Sequence, residues 1–72
     1  MTIQLDAERL ESMGTRAQRA GIDLEVIAHS LRVNGLPQLG TQVGLAARAA
    51  LDASEALKAQ AQLLQHPYGP KA

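Results

Sequence analysis

The chain contains no cysteine, no phenylalanine and no tryptophan, and its one aromatic residue, Tyr68, stands near the C-terminus. Without cysteine there is no disulfide, and the cysteine-based zinc sites that staple many small domains are excluded as well. Without large aromatics a core lacks its bulkiest fillers. Charge of one sign is also missing: seven basic and seven acidic side chains give a formal net charge of zero. Nucleic-acid surfaces draw affinity from neutralising phosphates, and peripheral membrane anchors from basic clusters. Neither partner is expected. No run of about 18 apolar residues is present to span a bilayer. The opening Met1-Thr2-Ile3-Gln4-Leu5-Asp6 lacks the basic-then-apolar order of a secretory signal. A soluble protein made in the cytoplasm is expected, with export by a signal-peptide-independent route left open.

What the chain does have is spacing. Leu10, Met13, Ala17, Ala20, Leu24, Ile27 and Leu31 recur at alternating intervals of three and four residues. Leu36, Leu39, Val43, Ala46, Ala50, Ala53 and Leu57 repeat the rhythm, and Leu64 falls in phase with them. Such a seam keeps one apolar edge of a helix against a neighbouring helix over many turns. The expected fold is all-α, an antiparallel two-helix hairpin, with these two series as the helix–helix interface.

The first helix is predicted over about residues 6–32. Asp6 is a good N-cap, Leu5 and Leu10 have the spacing of a hydrophobic staple, and Glu8 and Glu11 put negative charge where the helix dipole favours it. Gly21 is the weak point, costing about 1 kcal/mol relative to alanine, and Asp23 could cap a fresh start. The seam keeps its phase through Gly21, which favours one continuous helix. Val33, Asn34, Gly35 and Pro37 form the turn, within residues 33–40, because Asn and Gly tolerate positive φ and Pro suits a first helical turn. The second helix starts between Pro37 and Thr41, runs over about 41–65, and stops where His66-Pro67 and Gly69-Pro70 follow. Residues 66–72 are expected to be a frayed tail.

At 72 residues there is room for one domain only. Apolar residues are 46% of the chain, but many are alanines, which bury little area each. Burial at ~25 cal/mol per Å² then struggles against an ordering cost of roughly 1.5 kcal/mol per residue. An assembly is expected, a four-helix bundle formed as a homodimer or with a small helical partner. Ile22, Val26, Leu45, Leu51 and Leu63 lie off the seam and are candidates for the surface such a partner would meet.

Residues able to carry chemistry are sparse. His29 and His66 have no metal-ligand spacing with other donors, so neither a metal nor a cofactor is expected. Ser12, Ser30 and Ser54 lack a base in a nucleophile-elbow setting. Asp52 and Glu55 are flanked by Arg48 and Lys58 at helical intervals, the pattern of a solvent-facing ion-pair ladder rather than a catalytic carboxylate pair. Gly35 and Gly40 make no phosphate-binding motif. The chain is not expected to be an enzyme. A helix-turn-helix regulator would use Val26-Ile27-Ala28, Leu31 and Val33, but its recognition segment, Pro37 to Ala47, contains no Lys or Arg.

Two helices of similar length joined at Val33-Asn34-Gly35 resemble the hairpins of the WxG-type and related small substrates of type VII (ESX) secretion. Val33 stands in the Trp position and Gly35 in the Gly position. The opening Ile3-Gln4-Leu5-Asp6-Ala7-Glu8-Arg9-Leu10 is similar to the start of the shorter secretion-associated proteins of that system. The resemblance implies a secreted hairpin or its partner. The chain departs from the pattern in lacking the Trp and in having Ala72, not an acidic residue, four positions after Tyr68. Hairpin chaperones of type III secretion needle subunits are similar in size and equally without catalytic residues. Both likenesses imply one mechanism, a hairpin lending its apolar surface to another chain.

Overall fold

The structure is a computed structural model that describes residues 5–65. The predicted tail, 66–72, with His66, Pro67 and Tyr68, lies outside the described residues, as do the first four residues of the opening segment. Two helices make up the rest: α1, Ala7–Val33, and α2, Pro37–Gln65. They pack side by side as an antiparallel hairpin only 13 Å deep along its shortest axis.

Each boundary has a local cause. Asp6 sits in an extended conformation before α1, and its Oδ1 accepts from the Arg9 backbone N–H at 2.8 Å, satisfying an amide that the helix itself leaves free. At the far end, Gly35 takes φ +85°, a region that an L side chain resists. This lets the Leu36 N–H donate to the Leu31 carbonyl at 2.8 Å and the Gly35 N–H to the Arg32 carbonyl at 3.3 Å, the paired bonds of a Schellman ending. Asn34 Nδ2 adds a bond to the Ser30 carbonyl at 2.7 Å. Pro37 opens α2, where its missing N–H costs nothing. Thr41 does not cap this helix. It lies one turn into the helix, with its hydroxyl donating to the Pro37 carbonyl at 3.0 Å.

α1 runs unbroken through Gly21, one of the points at which the partner helix comes close. A Cβ built on Gly21 would stand 3.2 Å from the Ala47 carbonyl oxygen; on Gly14, 3.2 Å from that of Ser54; on Gly40, 3.0 Å from that of Ala28. These contacts set an antiparallel register of Gly14 beside Ser54, Gly21 beside Ala47 and Ala28 beside Gly40. The closest-approach positions recur every seven residues, Gly14, Gly21 and Ala28 on one helix and Gly40, Ala47, Ser54 and Ala61 on the other, all buried. Small side chains let two backbones come near, and the seven-residue period keeps them facing along the whole length.

The predicted seam is therefore corrected by one residue at every second position. Leu10, Ala17, Leu24 and Leu31 of α1, and Val43, Ala50 and Leu57 of α2, are buried or half-buried as interface residues should be. Met13, Ala20 and Ile27, and Leu39, Ala46, Ala53 and Leu64, are exposed instead. The physical reason is separation. In each case but Leu64 the next residue along is a glycine, alanine or serine that lets the backbones close, and one step back from that line turns a side chain about 100° out of the contact. The core that results is thin: Leu10, Ala28, Ala47 and Ala61 are the only buried hydrophobic side chains among the described residues.

Candidate interaction surface

The register divides the hairpin into two broad faces. One step back from the closest-approach row turns a side chain by about 100°, and in antiparallel helices that step carries both rows to the same side. Met13, Ala20 and Ile27 of α1 thus share a face with Leu39, Ala46 and Ala53 of α2. Between these two rows lie the half-buried Ala17, Leu24, Leu31, Val43, Ala50 and Leu57. None of these twelve side chains carries a polar atom. Met13, Ile27 and Leu39 are 43, 48 and 46% exposed, which is much for residues of their size in a folded chain.

The opposite face is built differently. Its α1 row is Glu11, Gln18, Glu25 and Arg32; its α2 row is Gly44, Leu51 and Lys58, with Arg48 and Glu55 on its outer side. Long side chains from this face fold over the interior glycines. A Cβ on Gly14 would meet Lys58 Cγ at 2.8 Å, one on Gly21 would meet Leu51 Cγ at 2.7 Å, and one on Gly40 would meet Arg32 Cγ at 2.7 Å. The alkyl stems thus cover the seam while the polar ends reach out of it. Lys58 Nζ donates to Gln18 Oε1 across the two helices at 2.6 Å, and Arg32 Nη2 donates to the Gly40 carbonyl at 3.4 Å. Among the described residues no buried side-chain nitrogen or oxygen lacks a hydrogen-bond partner. On this face the seam glycines are covered by the chain's own side chains.

The off-seam candidates divide, one packing inside the hairpin and four staying exposed. Leu51 is half-buried over Gly21 and belongs to the intramolecular packing. Ile22, one residue after Gly21, turns toward the polar side. Val26, Leu45 and Leu63, each two residues from a closest-approach position, point away from the partner helix. All four are exposed. The turn residues Val33, Asn34, Gly35 and Pro37 cap the tip, where Val33 and Leu36 are also exposed.

No family model matches the chain, and no curated protein or solved structure does so either. Among the described residues no group of three or more His, Cys, Asp or Glu side chains is placed to hold a metal ion. No helix among them is long and apolar enough to cross a membrane. The glycines and Ser54 of the closest-approach rows had a signal in the sequence: Ala7, Gly14, Gly21 and Ala28 are small at every seventh position, and so are Gly40, Ala47, Ser54 and Ala61.

Proposed function

We propose that this chain is a non-enzymatic protein-interaction module whose apolar face is completed by helices of another polypeptide, giving a four-helix bundle. The observation that carries the reading is the asymmetry of the two faces. On the polar face the stems of Lys58, Leu51 and Arg32 lie over the interior glycines, whereas among the described residues the face bearing Met13, Ala20, Ile27, Leu39, Ala46 and Ala53 has no such cover. A continuous apolar strip left in water costs the free energy that burial against a partner would recover. The likeness of Val33-Asn34-Gly35 and of the opening residues to small type VII secretion hairpins supports a place among secretion substrates or their partners.

The test places one charge on each face. Ala46→Glu puts a carboxylate in the apolar strip, and Leu45→Glu puts one on an exposed site outside it. Self-association by light scattering and binding of an apolar-surface dye are measured for both variants and the parent. Ala46→Glu is expected to reduce whichever signal the parent gives, and Leu45→Glu to leave it unchanged. A parent that is a folded monomer and binds no dye would overturn the proposal.

A further inference from the structure

The polar face has a gap in its cover. Leu51 and Lys58, seven residues apart on α2, lie over Gly21 and Gly14 of α1. One heptad earlier the same row reaches Gly44, which has no side chain to lay over the seam. The nearest atoms of α1 to a Cβ built there are Arg32 Nη2 at 2.8 Å and Ala28 Cβ at 4.0 Å. The gap is a notch of about 300 Å³, with Gly44 at its base, Glu25 and Arg32 of α1 on one side and Thr41, Leu45 and Arg48 of α2 on the other. That volume is at the small end of the range for ligand sites. We infer that this notch binds a carboxylate carried on a short aliphatic stem, with Arg32 and Arg48 as its donors.

Charge sets the class of ligand. Two guanidinium groups and one carboxylate border the notch, a local balance that suits a monoanion better than a phosphate dianion. Arg32 spends one N–H on the Gly40 carbonyl, at 3.4 Å. A guanidinium has five such donors, in a planar fork that matches the two oxygens of a carboxylate. Thr41 adds no donor, because its hydroxyl proton goes to the Pro37 carbonyl. Leu45 gives the notch an apolar wall against which methylene groups can lie. The two arginines come from different helices, so a carboxylate bound by both would link α1 to α2 near the turn. This notch lies on the face opposite Met13, Ile27 and Leu39, and its test is independent of the bundle proposed above.

Sodium butyrate and N-acetylglutamate amide present this group as a free acid and as a side chain. Each is titrated into the isotope-labelled protein at low salt, with sodium chloride as the ionic-strength control, and followed by nuclear magnetic resonance. Saturable shifts of the Gly44 amide and the Arg32 side-chain N–H are expected with at least one of the two and not with chloride. Which of them binds identifies the source of the carboxylate. Gly44→Leu carries the row of Leu51 and Lys58 across the notch. Its Cβ meets only the movable end of Arg32, and it exchanges a poor helix former for a good one. Circular dichroism should show the helices retained, with binding weakened at least about tenfold. Arg48→Gln should weaken binding in the same direction. Glu25→Gln should tighten it, whereas Glu8→Gln, an equal change of net charge at the far end of α1, should not. Shifts that chloride reproduces, that persist in Gly44→Leu, or that respond equally to Glu25→Gln and Glu8→Gln would overturn the site.

Discussion

The two faces of this hairpin are made from the same two helices and differ in what finishes them. On the polar face, long side chains lie across the closest-approach glycines and carry their charges into water, so the seam is closed from that side without help. On the apolar face the seam residues are flanked by further apolar rows that stay exposed. A two-helix unit has too little interior to bury both sides of its contact. Amphipathic stems cover the seam on one side, while on the other a row of apolar residues from each helix stays exposed beside it.

The sharpest way to break this contrast is to open the seam itself. Gly21→Val would drive a branched side chain against the Ala47 carbonyl and Leu51, costing about 3 kcal/mol, and thermal unfolding by circular dichroism should show the hairpin largely lost. Retention of the parent melting curve would mean that the helices do not meet at Gly21. Next come two charges on α1. Leu24→Asp should damage both hairpin and assembly, since Leu24 is half-buried in the seam. Ile27→Asp should dissociate the assembly, on the order of 2 kcal/mol, while the isolated hairpin keeps its helices. Equal effects of the two substitutions on a dilute sample would show that no one-sided face exists. Gly35→Ala acts only through backbone conformation, because a Cβ there meets nothing within 4 Å. It should lower stability by about 1 kcal/mol without altering association, read as a shift in denaturation midpoint. Smallest of all, Lys58→Met keeps the stem over Gly14 and loses the bond to Gln18. A change within about 0.5 kcal/mol is expected, and a larger one would mean that the polar end, not the stem, closes that face.

Much of this architecture was legible in the sequence. Asp6 as a cap, Gly35 as the turning point and the three-four spacing all lead to two paired helices. The phase of the pairing was harder to see. Met13, Ile27 and Leu39 draw attention because they are apolar and correctly spaced, and hydrophobicity is the usual guide to a buried edge. Here proximity decides instead. Gly14, Gly21, Gly40 and Ser54 contribute almost nothing to a count of apolar residues, yet they occupy the line along which the backbones approach. The same shift places the exposed strip away from the off-seam candidates Ile22, Val26, Leu45, Leu51 and Leu63. Once the seam moves by one residue, the residues first assigned to it become the exposed strip, and those five fall outside it.

The scarcity of hydrocarbon along the line of closest approach has a thermodynamic consequence. Separating two helices that touch through glycine and alanine wets little nonpolar carbon, so the heat capacity of unfolding for a lone hairpin should fall below the ~12–15 cal/mol/K per residue of ordinary domains. Its stability should then vary only gently with temperature. Any curvature that grows as the sample is concentrated would come from the strip that the fold leaves open to its surroundings.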